Sequence, residues 1–409
     1  MHDTAAWLPP GNERLDVLRG RAVAASDRTA GGHFVPTFNP ASNTNQRSRL
    51  RLVNPSGEDT DVTVYAVDDH GVSADPVRFS LDAHSTRTLD ATELESGAAD
   101  LSGSLGDGEG KWRLVVSADA AIHVMNLMSS PTGHLTNLST SSDALVVPMF
   151  PAASHPTQQG FARVANLGGT AGTARIRGYD DAGASYGPLL LELPAGRTVH
   201  FNSDDWEFGN AEKGLEGAAG TGEGPWRLEF ESTLDLAVSA YVRTRDGFLT
   251  SMHDHVVRDT CAAEQVEGGR VAARSERTFS FRDCGDERRV PFFNPASNTR
   301  QVSSLRLVNR GDSDAAITIF GVDDDGAERG PAMLSLPAGT ARTLTSLALE
   351  SGDGESLAGA LGDGTGKWEL RVFVAAESAA DVMVMNLLES PTGHLTNLST
   401  WPDEELRLE

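Results

Sequence analysis

Three tandem antiparallel β-sandwich modules, an all-β architecture, are the fold class that the sequence predicts, on three observations. The chain repeats itself in an A–B–A order. Its apolar residues alternate with period two. Its 409 residues include 42 Gly and 19 Pro but only 6% aromatic side chains, a composition of many turns and short elements rather than long helices.

The repeat is read directly. Phe38-Asn39-Pro40-Ala41-Ser42-Asn43-Thr44 returns as Phe293-Asn294-Pro295-Ala296-Ser297-Asn298-Thr299, and Leu50-Arg51-Leu52-Val53-Asn54 as Leu305-Arg306-Leu307-Val308-Asn309. Leu105-Gly106-Asp107-Gly108 with Gly110-Lys111-Trp112 returns at Leu361-Gly362-Asp363-Gly364 with Gly366-Lys367-Trp368. Residues 130–140 reappear letter for letter at 390–400. A diverged copy lies between: Asn166 aligns with Asn54, Asp180-Asp181 with Asp68-Asp69, Trp226 with Trp112 and Phe248 with His134. The expected organisation is a linker or end of a preceding repeat at 1–33, module A1 at 34–142, module B at 143–256, a linker at 257–289, module A2 at 290–402 and a tail at 403–409. Met1-His2-Asp3 copies Met252-His253-Asp254, the end of B, so the expectation is a chain cut from a longer array or one whose start is artificially placed.

Within a module, Leu50 and Leu52 alternate with Arg49 and Arg51, and Val62, Val64 and Ala66 share one face. Asp-Asp-x-Gly turns follow, where Gly supplies positive φ and Asp binds local amides. Val77, Phe79 and Leu81 form the next strand. A helical turn is expected at Thr92–Ser96, with Thr92 and Glu95 as a capping box. After a Gly-rich loop come Trp112, Leu114 and Val116 on one face, then a strand through Ile122 and Val124, then a hairpin across Pro131-Thr132-Gly133. Six to eight strands per unit fit a sandwich, and the lack of long helices argues against an α/β enzyme fold.

The second linker carries the only cysteines, Cys261 and Cys284. A disulfide between them would stabilise by about 3 kcal/mol through loop closure, and two free thiols are the alternative.

These strings together resemble tandem repeat modules of secreted and envelope bacterial proteins, over about Val35 to Thr400. The resemblance implies an Ig-like layout and an extracellular or envelope location. No agreed activity or catalytic residue comes with that family, so it assigns no site.

For chemistry, the Asp-Asp turns suggest Ca²⁺, the one cofactor the sequence admits, with Asp323, Asp324 and Asp325 nearest to a ligand run. They lack EF-hand spacing, so hairpin turns are the plainer reading. Gly-x-Gly-Lys-Trp is no phosphate loop, because Trp and a strand follow the Lys; the Trp reads as a core anchor. Asp204-Asp205 reads as the cap of a short helix starting at Ser203. His134 and His394, with Asn137 and Asn397, are the ligand-binding candidates, set against a purely structural hairpin. Asn137 also opens a glycosylation sequon. The 11 His otherwise look scattered, with no metal-ligand cluster, and no catalytic residue is assigned.

Lys plus Arg is 34 against 58 Asp plus Glu, a net charge of −24 that argues against nucleic acid and anionic membranes as partners. No apolar run is long enough to span a bilayer. The expected role is a non-enzymatic extracellular spacer, adhesion or protein-docking array. Carbohydrate binding is the alternative, and a glycan-active enzyme at a module junction ranks below both. A protein or a glycan is the expected partner; oligomeric state is left open.

Overall fold

The computed structural model describes residues 32–138, 145–253, 286–354, 357–375, 377–378 and 381–399. Among them the chain forms six antiparallel sheets and three short α-helices, so the all-β expectation holds. In the first module one sheet runs in the order His33–Phe38, Trp112–Ala118, Thr60–Val67, Val77–Leu81. The other runs Thr86–Asp90, Arg47–Val53, His123–Ser129, Leu135–Asn137. The last module repeats both orders with Asp286–Phe293, Trp368–Val374, Ala315–Asp323, Glu328–Leu336 and with Ala341–Thr345, Val302–Asn309, Val382–Glu389, Leu395–Asn397. The middle module keeps the plan and adds the short edge strand Leu215–Glu216. In each first sheet the opening strand pairs with the late Trp-bearing strand: His33 opposes Val116 and Phe38 opposes Trp112.

The alternating residues build the core between the sheets. Leu50, Leu52, Val62, Val64, Phe79, Leu114 and Val116 are buried in one cluster, while Arg49 and Arg51 of the same ladder point to solvent. Each fully buried aliphatic side chain contributes roughly 1.5–3 kcal/mol. In each module the third strand pairs with the Trp-bearing strand, and the strand that follows the Trp-bearing one lies beside the second.

The first helix, Ala91–Ser96, corrects the expected cap: Asp90 is the N-cap and Glu93 completes the capping box. Glu95 is released for another task. Its carboxylate accepts the Trp112 indole N–H at 2.8 Å and the Ala41 amide at 3.1 Å. Glu207 does the same for Trp226 and Ala153, and Glu350 for Trp368 and Ala296. The Trp anchors are therefore buried apolar bodies whose one polar atom is satisfied. A Cβ on Gly108 or Gly364 would collide with the indole plane, which explains the Gly of the Leu-Gly-Asp-Gly string. The second helix, Ser203–Phe208, is capped by Asn202, with Asp205 as the reciprocal partner.

The described residues up to His253, together with Gly393–Leu395, form one compact unit; the remaining described residues from 286 onward form a second. Cys261, Cys284 and nearly all of both linkers lie outside the described residues, as does the tail. Among the described residues, no helix is long and apolar enough to cross a membrane.

Candidate functional site

Several of the predicted site residues make hydrogen bonds to the local backbone. Asp323 accepts the amides of Ala327 and Thr365, and Asp324 accepts that of Lys367, so their carboxylates tie the Asp-Asp turn to the Gly-rich loop. The Ala327 amide, foremost among these contacts, holds the Asp323 carboxyl below the usual carboxylate range. Asp324 and Asp325 are exposed. This geometry supports the hairpin-turn reading over a Ca²⁺ loop. Asn397 accepts the Ser399 amide at 3.1 Å and also its hydroxyl, inside its own hairpin. Asn137 sits exposed at the end of Leu135–Asn137.

In the first module the same turn does something further. Asp69 accepts the Lys111 amide, and it also forms a two-pronged ion pair with Arg163 of the middle module, at 2.6 and 3.1 Å. Both side chains are largely buried. Burial alone would raise the Asp69 pKa, but the Arg163 charge and hydrogen bonds outweigh it and hold the carboxyl below its ordinary value. Arg163 also lines a cavity of about 780 Å³ formed by residues of the first and middle modules. Lys111, Arg163, Arg243 and Arg245 line it, against one carboxylate, Asp246, among its described lining residues. The Lys111 ammonium has no hydrogen-bond partner among the described residues. Burial, aided by the Arg163 charge, pushes its pKa down to about 7. Gln159 and Phe161 orient Arg243, the first by a 2.9 Å hydrogen bond and the second by lying under the guanidinium.

At the rim of this cavity the fold brings His134 and His394 together, a pairing that their positions in sequence do not reveal. Their rings lie 4.4 Å apart, and Phe248 meets both edge-on at 5.9 and 5.6 Å. Asp246 Oδ2 lies 2.7 Å from His394 Nε2 and accepts the Thr132 hydroxyl at 2.7 Å. Its other oxygen accepts the Thr244 hydroxyl at 2.5 Å. Burial opposes ionisation here, but the hydrogen bonds from Thr244, Thr132 and His394 prevail and keep Asp246 well below the usual carboxylate range. The sequence reading did not single out Asp246, whose carboxylate the structure sets beside the two imidazoles. The B-unit departure at Phe248 was visible, and Asp246 stands in that same tip, where the A units carry Thr132 and Thr392.

No family model and no curated protein matches the chain. Among solved structures, the Anabaena sensory rhodopsin transducer is similar at 14% identity and a TM-score of 0.20, covering 24% of this chain and 94% of its own. A Streptomyces avermitilis α-L-rhamnosidase complexed with L-rhamnose is similar at 13% identity and a TM-score of 0.10, covering 90% of this chain and 46% of its own. At these scores neither likeness carries an argument about fold or function.

Proposed function

We propose that the chain is a non-enzymatic, extracellular or envelope array of β-sandwich modules whose first two modules bind an acidic oligosaccharide between them. One observation carries this reading: in a protein of net charge −24, four cationic side chains and, among the described residues, a single carboxylate line one cavity. Amide side chains such as Asn45 and Gln158, with Tyr241, supply the hydrogen-bonding and apolar surface that sugars use. Most glycoside hydrolases use a pair of carboxyl groups across the scissile bond, and the described lining offers one, which favours binding over turnover by that route.

A glycan array, followed by calorimetry on the hits, tests it. Uronate-bearing or sulfated oligosaccharides are expected to bind, with affinity falling at least tenfold in Lys111→Met and weakening as salt rises. An array without hits, or hits confined to neutral glycans and unaffected by Lys111→Met, overturns it. The spacer or protein-docking reading is the second, favoured by the repeated Trp–Glu–backbone ties, which serve architecture alone.

A further inference from the structure

We infer that His134, Asp246 and His394 form a binding site for a divalent transition-metal ion of the zinc, cobalt or copper type. One ligand atom from each residue lies within 4.8 Å of the other two. Two imidazoles and a carboxylate are the donor set that such ions prefer, whereas Ca²⁺ takes an all-oxygen shell. Metal–ligand bonds of about 2.0–2.2 Å set the donor atoms roughly 3.4 Å apart, so the His134 nitrogen must move inward while the 2.7 Å Asp246–His394 contact opens. His134 permits that, because it is exposed and its ring nitrogens make no hydrogen bond among the described residues. The ion would displace the His394–Asp246 hydrogen bond and leave a coordination position for water.

Two further features fit a ligand set. Asp246 is held in place by the Thr132 and Thr244 hydroxyls and the Phe248 amide, so its orientation is fixed by outer partners as in built metal centres. Phe248 packs edge-on against both imidazoles and so restricts their orientation. The sequence is complementary in the same sense. The two A tips supply His, and the B tip, which has Phe in its place, supplies the carboxylate two residues earlier.

The test uses the full chain, free of any purification tag, with Zn²⁺ in calorimetry and Co²⁺ in visible absorption. One equivalent of Zn²⁺ is expected, with Co²⁺ giving the intense bands of a four- or five-coordinate site. His134→Ala and Asp246→Asn should each weaken Zn²⁺ binding at least tenfold, while His84→Ala, on a remote turn, should leave it unchanged. His134→Ala removes an exposed ring, so a loss there is not a folding defect, and a circular dichroism spectrum equal to wild type verifies this. Absence of stoichiometric Zn²⁺ binding, or binding indifferent to His134→Ala, overturns the inference. Glycan binding lost with Lys111→Met but retained in His134→Ala would leave the two proposals independent.

Discussion

The Asp-Asp turn and Gly-x-Gly-Lys loop occur in nearly the same form in the first and last modules, yet they end in different surroundings. Around Asp324 the carboxylate holds the Lys367 amide, and the exposed Lys367 side chain lies over the Phe292 ring, 4.2 Å from its centre. Around Asp69 the same amide clamp persists, but Arg163 is added and Lys111 is drawn into the wall of a cavity. A repeated motif thus fixes the loop, and the neighbouring module decides whether its charges work in solvent or in a partly closed space. In the B copy Pro225 replaces the Lys, so the loop is kept and the amine is not.

The contrast can be broken most sharply at the carboxylates. Asp69→Ala strands Arg163 in a buried position and should cost about 3–5 kcal/mol. Asp324→Ala forfeits little more than one backbone hydrogen bond, about 1 kcal/mol. Hydrogen exchange on the full chain, which reads each module separately, would show this asymmetry; equal losses would mean that the Arg163 pair adds nothing. Gly108→Ala and Gly364→Ala should instead behave alike, each losing about 1–3 kcal/mol as the indole is forced aside, because the Trp anchor is common to both modules. The modules should differ also in a slope in pH. The folded-state pKa of Lys111 is about 7, below its ordinary 10.5, so the unfolded chain holds that proton more tightly. Its burial penalty is complete below pH 7 and is relieved as pH rises toward 10.5. Lys111→Met should flatten this rise, and NMR of the Lys111 side chain should place its midpoint near 7. Anion binding runs the other way, strengthening as the amine gains its proton below that midpoint.

Much of the architecture was legible from period-two patterning and self-comparison, because both register local backbone geometry that each module needs on its own. The Trp anchors and Asp-Asp turns were legible for the same reason. The helix cap was misplaced because Thr92 and Glu95 have the right spacing, and nothing local reveals that the Trp112 indole claims Glu95 and leaves the cap to Asp90 and Glu93. The Asp69–Arg163 pair and the cavity arise from packing between modules, so no single repeat encodes them. His134 and His394 drew attention as repeated polar tips. Their convergence on Asp246 was hidden, since the three residues are far apart in sequence and Asp246 occurs in a copy where the repeat has diverged.

The pairing of each opening strand with the late Trp-bearing strand bears on synthesis. His33–Phe38 leaves the ribosome long before Trp112–Ala118 exists to bond it, so it waits as an unsatisfied edge while the hairpins between them form. Such long-range closure is slow, and a waiting edge is open to the wrong partner. In a run of near-identical modules the nearest wrong partner is the matching strand of the neighbour. The divergence of the middle copy separates the two alike modules along the nascent chain, and so works against their exchanging strands.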